Sequence, residues 1–379
     1  MSRRSSLTGG GGGGGGAAQG LTPAIVVGNS VVGDVLGTDC DFLDVGDGVQ
    51  LQAALATAGA NLDVWVRPGT YDLGAGAATS PLVVPNSTTL RGAGTQQTFI
   101  RTKSTGNMGA LGLNSEATVM DVGIEVARPT AGPPAGATAV ITMANATRCI
   151  RVQVEFIGAL GWDATDVGET ALRSVYDFSC PNSPAYLMNC TSNTATSRQA
   201  PSFDTLVPGT DFIMVTATGP NSQVIIVDCE LRGGDIGVSV VQTGLLIRGT
   251  IFRNLREGVR AQTTQNRFGL FNSDINVQQN LATMRGVVLN NIDFAIIQGN
   301  YIQGEGGIGV GLEAVELVNG CVGCSINGNF ISDWDRAIKF SAAGDDDNVA
   351  TGNVFNTITQ AAPVEDLGAG NDVAHNIDR

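Results

Sequence analysis

One pattern of apolar and polar positions returns several times between residues 224 and 358. Each return begins with an alternating apolar stretch that leads into a small or polar residue, and a Gly-Val pair opens a second apolar stretch. The first marker is found at Cys229, Thr250, Asp274, Asn300, Asn329 and Asn353. The second is found at Gly237, Gly258, Gly286 and Gly309, with Ala337 in the last return. Both series advance together by roughly 20 to 30 residues, an interval that indicates stacked repeats.

Short strands joined by loops of variable length, without a helical period, favour an all-β solenoid of the parallel β-helix type. Propeller blades need about 40–45 residues, which is too long for this interval. Strand side chains alternate between two faces, so the pattern predicts inward positions for Val238, Val240, Val259, Ala261, Val310, Leu312, Ile338 and Phe340. It also predicts one outward column, made of Ser239, Arg260, Val288, Gly311 and Lys339.

A capping helix is predicted over residues 47–58. Leu51, Ala54, Leu55 and Ala58 fall on one helical face, and Gly59 ends the element. A solenoid needs an atypical terminal unit over its first core layer, and a helix laid across the first coil would supply one.

The remaining boundaries follow from composition. Residues 1–20 hold a run of glycines behind Arg3 and Arg4 and are interpreted as a tether. Residues 21–46 carry short apolar pieces and are predicted to be an attachment or assembly segment. The β-helix is predicted over 47–358, and 359–379, where the repeat fades, is interpreted as a C-terminal cap or tail.

Two stretches near the start of the β-helix carry a family resemblance. They are Val64-Trp65-Val66-Arg67-Pro68-Gly69-Thr70-Tyr71, preceded by the helix that opens with Asp47-Gly48, and Leu90-Arg91-Gly92-Ala93-Gly94. This series resembles the start of the pectate-lyase-like right-handed parallel β-helix superfamily, and it is especially similar to β-helix structural proteins of tailed bacteriophages. The resemblance implies a right-handed β-helix and, because one fold hosts many functions, implies much less about activity.

Composition and net charge limit the classes of molecule that this chain is expected to bind. The chain is 42% hydrophobic and 15% charged, which is typical of a folded protein. Its net charge of −14, with no basic run outside Arg3-Arg4, disfavours nucleic acid and anionic membranes as partners. The sequence shows no membrane-spanning run and no secretory signal, so we expect folding in a host cytoplasm and release by lysis.

Cysteine usage argues against a metal site. Seven cysteines cannot all pair within one chain, and the only close pair is Cys321-x-x-Cys324. A zinc site needs a second pair or several histidines, whereas His375 is the only histidine. We therefore expect buried thiols, no metal and no cofactor.

The strongest candidate for sugar chemistry is Asp333-Trp334-Asp335-Arg336 together with Lys339. Asp333, Asp335 and Lys339 are the candidate catalytic residues. A glycan-binding surface is predicted from Trp334 as an aromatic platform, with Arg336 and, two to three coils earlier, Arg260 and Glu257. A solvated turn whose tryptophan covers a coil edge is the alternative. The motifs that the superfamily's lyases and hydrolases use are absent, so no family catalytic residue is transferred to this chain.

Three functions remain open at this point. The leading hypothesis is a virion structural protein (a tail fibre, tailspike-like or capsid-surface protein), forming a homotrimer and bound to other virion proteins through residues 1–46. A depolymerase, either lyase or glycoside hydrolase, that cuts host polysaccharide is the second. A non-catalytic glycan-binding adhesin is the third.

Overall fold

The computed structural model describes residues 24–60, 62–75, 81–103, 109–127, 139–157, 174–179, 183–193, 213–262, 267–277, 284–304, 313–360 and 362–379. All strand pairings among them are parallel, and the strands stack into three ladders, here called faces 1, 2 and 3. The fold is the predicted all-β, right-handed parallel β-helix. No helix in these ranges is long and apolar enough to cross a membrane.

Face 1 carries the first strand of each coil. Its strands are Leu82–Val84, Leu111–Leu113, Ala139–Met143, Ser174–Phe178, the first halves of Ile213–Val227 and Ile236–Arg248, Glu257–Gln262, Arg285–Asn290, Glu313–Val318, Arg336–Phe340 and Val364–Asp366.

Face 2 carries the second strand of each coil and begins nearest the N-terminus. Its strands are Phe42–Asp44, Ala24–Asn29, Asp63–Val66, Thr89–Arg91, the first parts of Thr118–Ala127 and Arg148–Ile157, Ala185–Met188, the second halves of Ile213–Val227 and Ile236–Arg248, Phe268–Phe271, Ile296–Gln298, Ser325–Asn327, Val349–Thr351 and Asp372–Ala374.

Face 3 closes each coil. Its strands are Gly69–Asp72, Thr98–Arg101, the second parts of Thr118–Ala127 and Arg148–Ile157, Thr191–Asn193, Glu230–Arg232, Ile251–Leu255, Asp274–Val277, Tyr301–Gln303, Phe330–Trp334, Val354–Ile358 and Ile377–Asp378.

The core is a single apolar column inside the three faces. Most of the predicted inward residues are buried in it: Val238, Val240, Val259, Ala261, Ile338 and Phe340. Val310 and Leu312 lie outside the described residues, as do Gly309 and Gly311. The strand that occupies this place in the stack is Glu313–Val318, so Ala314 stands where Gly309 was predicted and Glu316 replaces Gly311 in the outward column.

The glycine of the Gly-Val pair has a steric cause. A Cβ on Gly286 would lie 2.4 Å from the carbonyl oxygen of Ala314 in the next coil, and one on Gly258 would lie 2.6 Å from that of Gly286. Real Cβ atoms do not approach a carbonyl this closely. The repeated glycine therefore allows neighbouring coils to approach at face 1.

The capping helix spans Val49–Ala58, slightly shorter than predicted, and buries the predicted residues Leu51, Ala54, Leu55 and Ala58. It covers the first core layer, as a solenoid cap must. The buried Asp44 carboxylate fixes its start. Its oxygens accept from the backbone N–H groups of five residues, Gly46, Asp47, Gly48, Gln50 and Leu51, and thereby satisfy the donors that a helix start leaves open.

The strand ladders extend beyond 47–358 at both ends. Ala24–Asn29 pairs with Asp63–Val66, so part of the predicted attachment segment belongs to the first coil. At the other end, Val364–Asp366, Asp372–Ala374 and Ile377–Asp378 add one strand to each face, so this region continues the stack. The predicted tether, residues 1–20, lies outside the described residues.

The corner between faces 2 and 3 contains a ladder of polar side chains. Its members are Cys190, Cys229, Thr250, Ser273, Asn300, Asn329, Asn353 and Asn376. From Thr250 onward, the backbone N–H of each member donates to the side chain in the next coil, as Asn300 does to Asn329 at 2.9 Å. Ser273 occupies the position that the sequence pattern assigned to its neighbour Asp274. The recurring asparagines are thus structural.

Candidate functional site

The outer surface of face 1 gathers charged residues from five consecutive coils. In one row Glu257, Arg285, Glu313 and Arg336 lie in register from strand to strand. The adjacent row holds Arg260, Val288, Glu316, Lys339 and Glu365. We call these two rows the charged strip. It contains four of the predicted site residues: Glu257, Arg260, Arg336 and Lys339.

Glu313 is the centre of the charged strip. Its Oε1 accepts from Arg336 Nη1 and from Lys339 Nζ, both at 3.3 Å, and its Oε2 lies 3.7 Å from Arg285 Nε. One carboxylate is therefore shared by three cations from the coils on either side. Sequence reasoning missed it, because the repeat was assigned to 309–312 and the loop length before Glu313 concealed the register.

Glu316 forms a second junction. Its carboxylate lies 2.8 Å from Arg285 Nε and 3.7 Å from Lys339 Nζ, and Ser341 Oγ donates to it at 2.8 Å. Ion pairs are also present at the two ends of the charged strip: Arg260 pairs with Glu257 at 2.6 Å, and Arg336 pairs with Glu365 at 2.8 Å. Each glutamate of the charged strip has at least one cation as partner.

Three of the four acids of the charged strip lie beneath bases; the fourth, Glu365, is 34% exposed and its partner Arg336 is 17% exposed. The side chains of Glu257, Glu313 and Glu316 are 3%, 2% and 7% exposed, whereas those of Arg285 and Arg260 are 37% and 32% exposed. Long basic side chains reach outward over their stems. A molecule that approaches the coils of Arg260 and Arg285 therefore meets guanidinium groups first. The buried Glu313 Oε2 atom has no hydrogen-bond donor within the described chain.

Asp177 is a further carboxyl on the same face, five coils before Glu316. It follows Thr142 and precedes Thr216, Ser239 and Arg260 in the outward column. Burial raises the pKa of Asp177, because desolvation disfavours its charged form. The sequence signal was available: in Ser174–Phe178, this aspartate is the polar outward position between apolar neighbours.

The predicted aromatic platform is wrong. Trp334 is 2% exposed, its indole Nε1 donates to the Ile302 carbonyl at 3.3 Å, and its ring packs against the backbone of Gly304. The preceding Asp333 has a positive φ of 62°, which interrupts the strand alternation and turns the next side chain inward. Trp334 therefore belongs to the core.

The predicted catalytic group is also not assembled. Asp333 accepts from Gln303 on face 3, Asp335 is buried and accepts from Thr359 Oγ1 at 2.7 Å, and Lys339 belongs to the charged strip on face 1. The corner at Trp334 separates the three. Val288, which the sequence pattern assigned to the outward column, is 8% exposed.

No group of three or more potential metal ligands occurs within the described ranges. Six of the seven cysteines are described there, and all six are buried and unpaired. Cys321 and Cys324 occupy a corner, where their backbone N–H groups donate to Asp345 and Asn348 of the next coil at 2.8 Å.

No family model matches the sequence, and no curated protein matches it with significance. Solved structures do match. A PL6 family polysaccharide lyase from Pseudopedobacter saltans superposes with a TM-score of 0.51 at 9% identity, over 94% of this chain and 92% of that one. The chain has the pectate-lyase-like parallel β-helix fold. The resemblance found in the sequence is thus confirmed at the level of fold.

Two further matches have lower scores. The A-module of the mannuronan C-5 epimerase AlgE6 from Azotobacter vinelandii is 15% identical, with a TM-score of 0.46 over 89% of this chain and 98% of that one. The Dettilon tailspike protein is 13% identical, with a TM-score of 0.45 over 84% of this chain and 64% of that one.

Proposed function

We propose that this chain is a structural protein of a bacteriophage particle, and that its charged strip binds a polysaccharide of the host surface without cleaving it. The observation that carries the binding proposal is the charged strip itself. Its acids Glu257, Glu313 and Glu316 are nearly buried, while Arg260 and Arg285 are about one-third exposed. The charged strip also runs along the stack axis across consecutive coils. Because successive coils are about 4.8 Å apart, such a strip offers repeated contacts to an extended chain molecule.

The particle assignment rests on the sequence resemblance to phage β-helix proteins and on the form of the stack. Among the described residues, the strands pair in parallel from the first coil, at Ala24, to the last, at Asp378. A helix caps the first coil. A stack in which each coil pairs with both neighbours suits a rigid, protease-resistant projection. The proposal includes assembly as a homotrimer and attachment to other virion proteins through residues 1–46.

The ion pairing of the charged strip favours binding over hydrolysis. Hydrolases of glycosidic bonds use two carboxyl groups that flank the scissile bond. Glu257, Glu313, Glu316 and Glu365 instead face cations, which hold them in fixed places. This arrangement can position a ligand and offers hydrogen bonds from guanidinium groups.

One observation favours a second candidate function, a depolymerase. Asp177 lies on the same outward column, and burial raises its pKa. A carboxyl that retains its proton at higher pH is what general acid catalysis needs. In this case Asp177 would protonate the leaving oxygen of a glycan that extends from the charged strip along face 1.

The two functions can be separated with a panel of acidic and neutral bacterial polysaccharides. Binding is measured by biolayer interferometry, and cleavage by new reducing ends and by absorbance near 235 nm from unsaturated products. We expect binding without cleavage, and at least tenfold weaker binding in Arg260→Ala/Lys339→Ala. Arg232→Ala removes an arginine paired with Glu230 on face 3 and is the matched control; it should bind as the unmodified chain does.

Cleavage that Asp177→Asn abolishes would replace the binding proposal with the depolymerase. If no polysaccharide binds, the glycan contact is wrong. The particle assignment has its own test, mass spectrometry of purified phage particles, and absence of the chain from them would refute it.

A further inference from the structure

The N-terminal end of the stack exposes a cluster of large aliphatic side chains. Val31, Val32, Val35, Leu36 and Val45 are 75%, 56%, 54%, 57% and 63% exposed. Nine large hydrophobic residues in the described ranges are more than half exposed, and these five fall within fifteen consecutive positions. Scattered exposed aliphatics need no explanation, whereas a concentrated apolar patch marks an interaction surface. We call these five residues the apolar tip.

The backbone that presents the apolar tip is held by its own hydrogen bonds. Asp34 and Asp39 accept from the N–H groups of Asn29 and Val35 at 2.8 and 3.0 Å, and Asp41 accepts from Val26 at 2.9 Å. The exposure is therefore a property of an ordered loop, with its polar groups turned to itself and its apolar groups turned outward.

The loop is also anchored to the first coil. The Asn29 side chain accepts from Val31 N–H and donates to the Thr70 carbonyl at 3.0 Å, while Asp34 pairs with Arg67 at 2.8 Å. Cys40 packs so closely on Gly28 that a Cβ there would lie 2.6 Å from its sulfur. The apolar tip thus has a fixed position on the stack, which reduces the entropy that binding must overcome.

The segment that precedes the apolar tip in sequence has little apolar content. Residues 1–23 contain two large aliphatic residues, Leu7 and Leu21, among glycines and polar residues. Burying five exposed aliphatic side chains needs a surface with comparable apolar content. A second copy of the chain has that content, since in a closed symmetric assembly the same loops meet around the axis.

Charge supports a second copy as the occupant. The chain carries a net charge of −14, so copies repel wherever acidic surfaces face each other. The apolar tip contributes five uncharged side chains to the contact. In addition, residues 1–33 contain Arg3 and Arg4 and no acid, whereas Asp39 and Asp41 border the apolar tip. The basic segment of one copy is complementary to the acidic border of another.

We infer that the apolar tip is the surface through which copies of this chain associate. The inference rests on the assembly part of the proposed function, and it places the contact between copies at the N-terminal end of the stack. Deleting residues 1–45 would be a poor test, because it removes two strands of the first coil. Substitutions at exposed positions leave the coil intact.

The experiment is light scattering after size exclusion of the full chain, without particle or glycan, so its failure is distinguishable from failure of the glycan or particle assignments. We expect the unmodified chain to elute as an oligomer, and Val31→Ser/Val35→Ser/Leu36→Ser to fall to the monomer mass of 38.9 kDa. Leu367→Ser/Ile377→Ser changes exposed aliphatics at the opposite end and is the matched control; it should remain an oligomer.

A single charge substitution, Leu36→Glu, provides a second variant with little risk to folding. It places a like charge within the apolar tip of every copy, and we expect at least tenfold weaker association by sedimentation equilibrium. Circular dichroism and the thermal midpoint verify that each variant is folded. A monomeric unmodified chain at tens of micromolar, a folded triple variant that keeps its oligomer mass, or a control that dissociates equally would each overturn the inference.

Discussion

The outer surfaces of faces 1 and 2 are built on the same alternating backbone and differ sharply in chemistry. Face 1 carries the charged strip. Face 2, over the middle coils, presents half-buried apolar side chains in two rows: Tyr186, Ile225 and Leu246 in one, and Met120, Ile150, Met188 and Val227 in the other. Inward positions on both faces are apolar because they fill one core. Only the outward positions are free to differ.

The stacking of coils explains why face 1 can carry charged rows and face 2 apolar rows. Residues in register on neighbouring coils lie about 4.8 Å apart, a distance at which like charges repel and opposite charges attract. The row Glu257, Arg285, Glu313, Arg336 alternates in sign at every step. An apolar row needs no such alternation. A charged residue in this fold is therefore tolerated according to its neighbours one coil away, which are roughly 20 to 30 residues distant in sequence.

The largest effect is expected from placing the same cation on both faces. Glu313→Lys puts three like charges in register and leaves Arg336 and Lys339 without their shared carboxylate. Removing one partner from a buried ion pair costs about 3–5 kcal/mol, and we expect roughly 3 here because the bases are partly solvated. Leu246→Lys on face 2, with uncharged neighbours Ile225 and Gly269, should cost less than about 1 kcal/mol. Thermal and urea unfolding measure both, and equal losses would show that register does not control charge tolerance.

The next effect concerns the close approach of coils at face 1. Gly286→Ala should destabilise by about 1–3 kcal/mol, as overpacking does, because its Cβ would meet the Ala314 carbonyl oxygen at 2.4 Å. Gly112→Ala is a matched control on the same face, where the nearest atom is Thr142 Oγ1 at 3.4 Å. Urea unfolding should show little change in the control. Similar behaviour of both variants would contradict the steric explanation of the Gly-Val repeat.

Smaller and opposite effects are expected from two aspartates when pH is varied. Burial raises the pKa of Asp177, so stability falls as pH rises from the unfolded value, about 3.9, to the higher folded value. Asp177→Asn should be more stable than the unmodified chain above that window and equal to it below. Thermal midpoints across pH 3–7 measure the difference, and a constant offset would contradict it.

Asp121, at the corner beside face 2, should have the reverse slope. A hydrogen bond from Arg151 lowers the pKa of this carboxyl, so its stabilisation is present above the unfolded pKa of about 3.9 and disappears as pH falls through the lower folded value. Asp121→Asn should be slightly less stable at neutral pH, and the difference should vanish in acid. A difference that persists in acid would show that the ion pair with Arg151 is not its source.

The smallest effect is expected from salt. Raising NaCl to 0.5 M shortens the screening length to a few ångströms and should weaken the partly exposed pairs of the charged strip, while the apolar rows of face 2 are unaffected or slightly strengthened. Leu246→Ser and Arg260→Ala, compared at low and high salt, should respond differently: only the second loses part of its cost. Parallel responses would indicate that Arg260 acts through packing.

The fold and the core could be predicted from sequence because they depend on local alternation and on a repeat. Phe340 and the cap residue Leu55 follow from such local patterns, and both are buried as predicted. The charged strip could be predicted only in part. Arg260 and Lys339 were assigned to one column, but Glu313 and Glu316 were missed, because a variable loop sets the register of their strand. Trp334 was misplaced because the positive φ at Asp333 reverses the alternation, and Asp333 carries no sequence signal for it.

The corner ladder has a consequence for how the protein is made. In the ladder from Thr250 to Asn353, the backbone N–H of each member donates to the side chain of the next member, one coil further toward the C-terminus. A coil that has just left the ribosome therefore has one backbone N–H group without its acceptor until the next coil is synthesised and folds onto it. Synthesis from the N-terminus to the C-terminus pairs these N–H groups one after another. Each folded coil is thus the template on which the next coil folds.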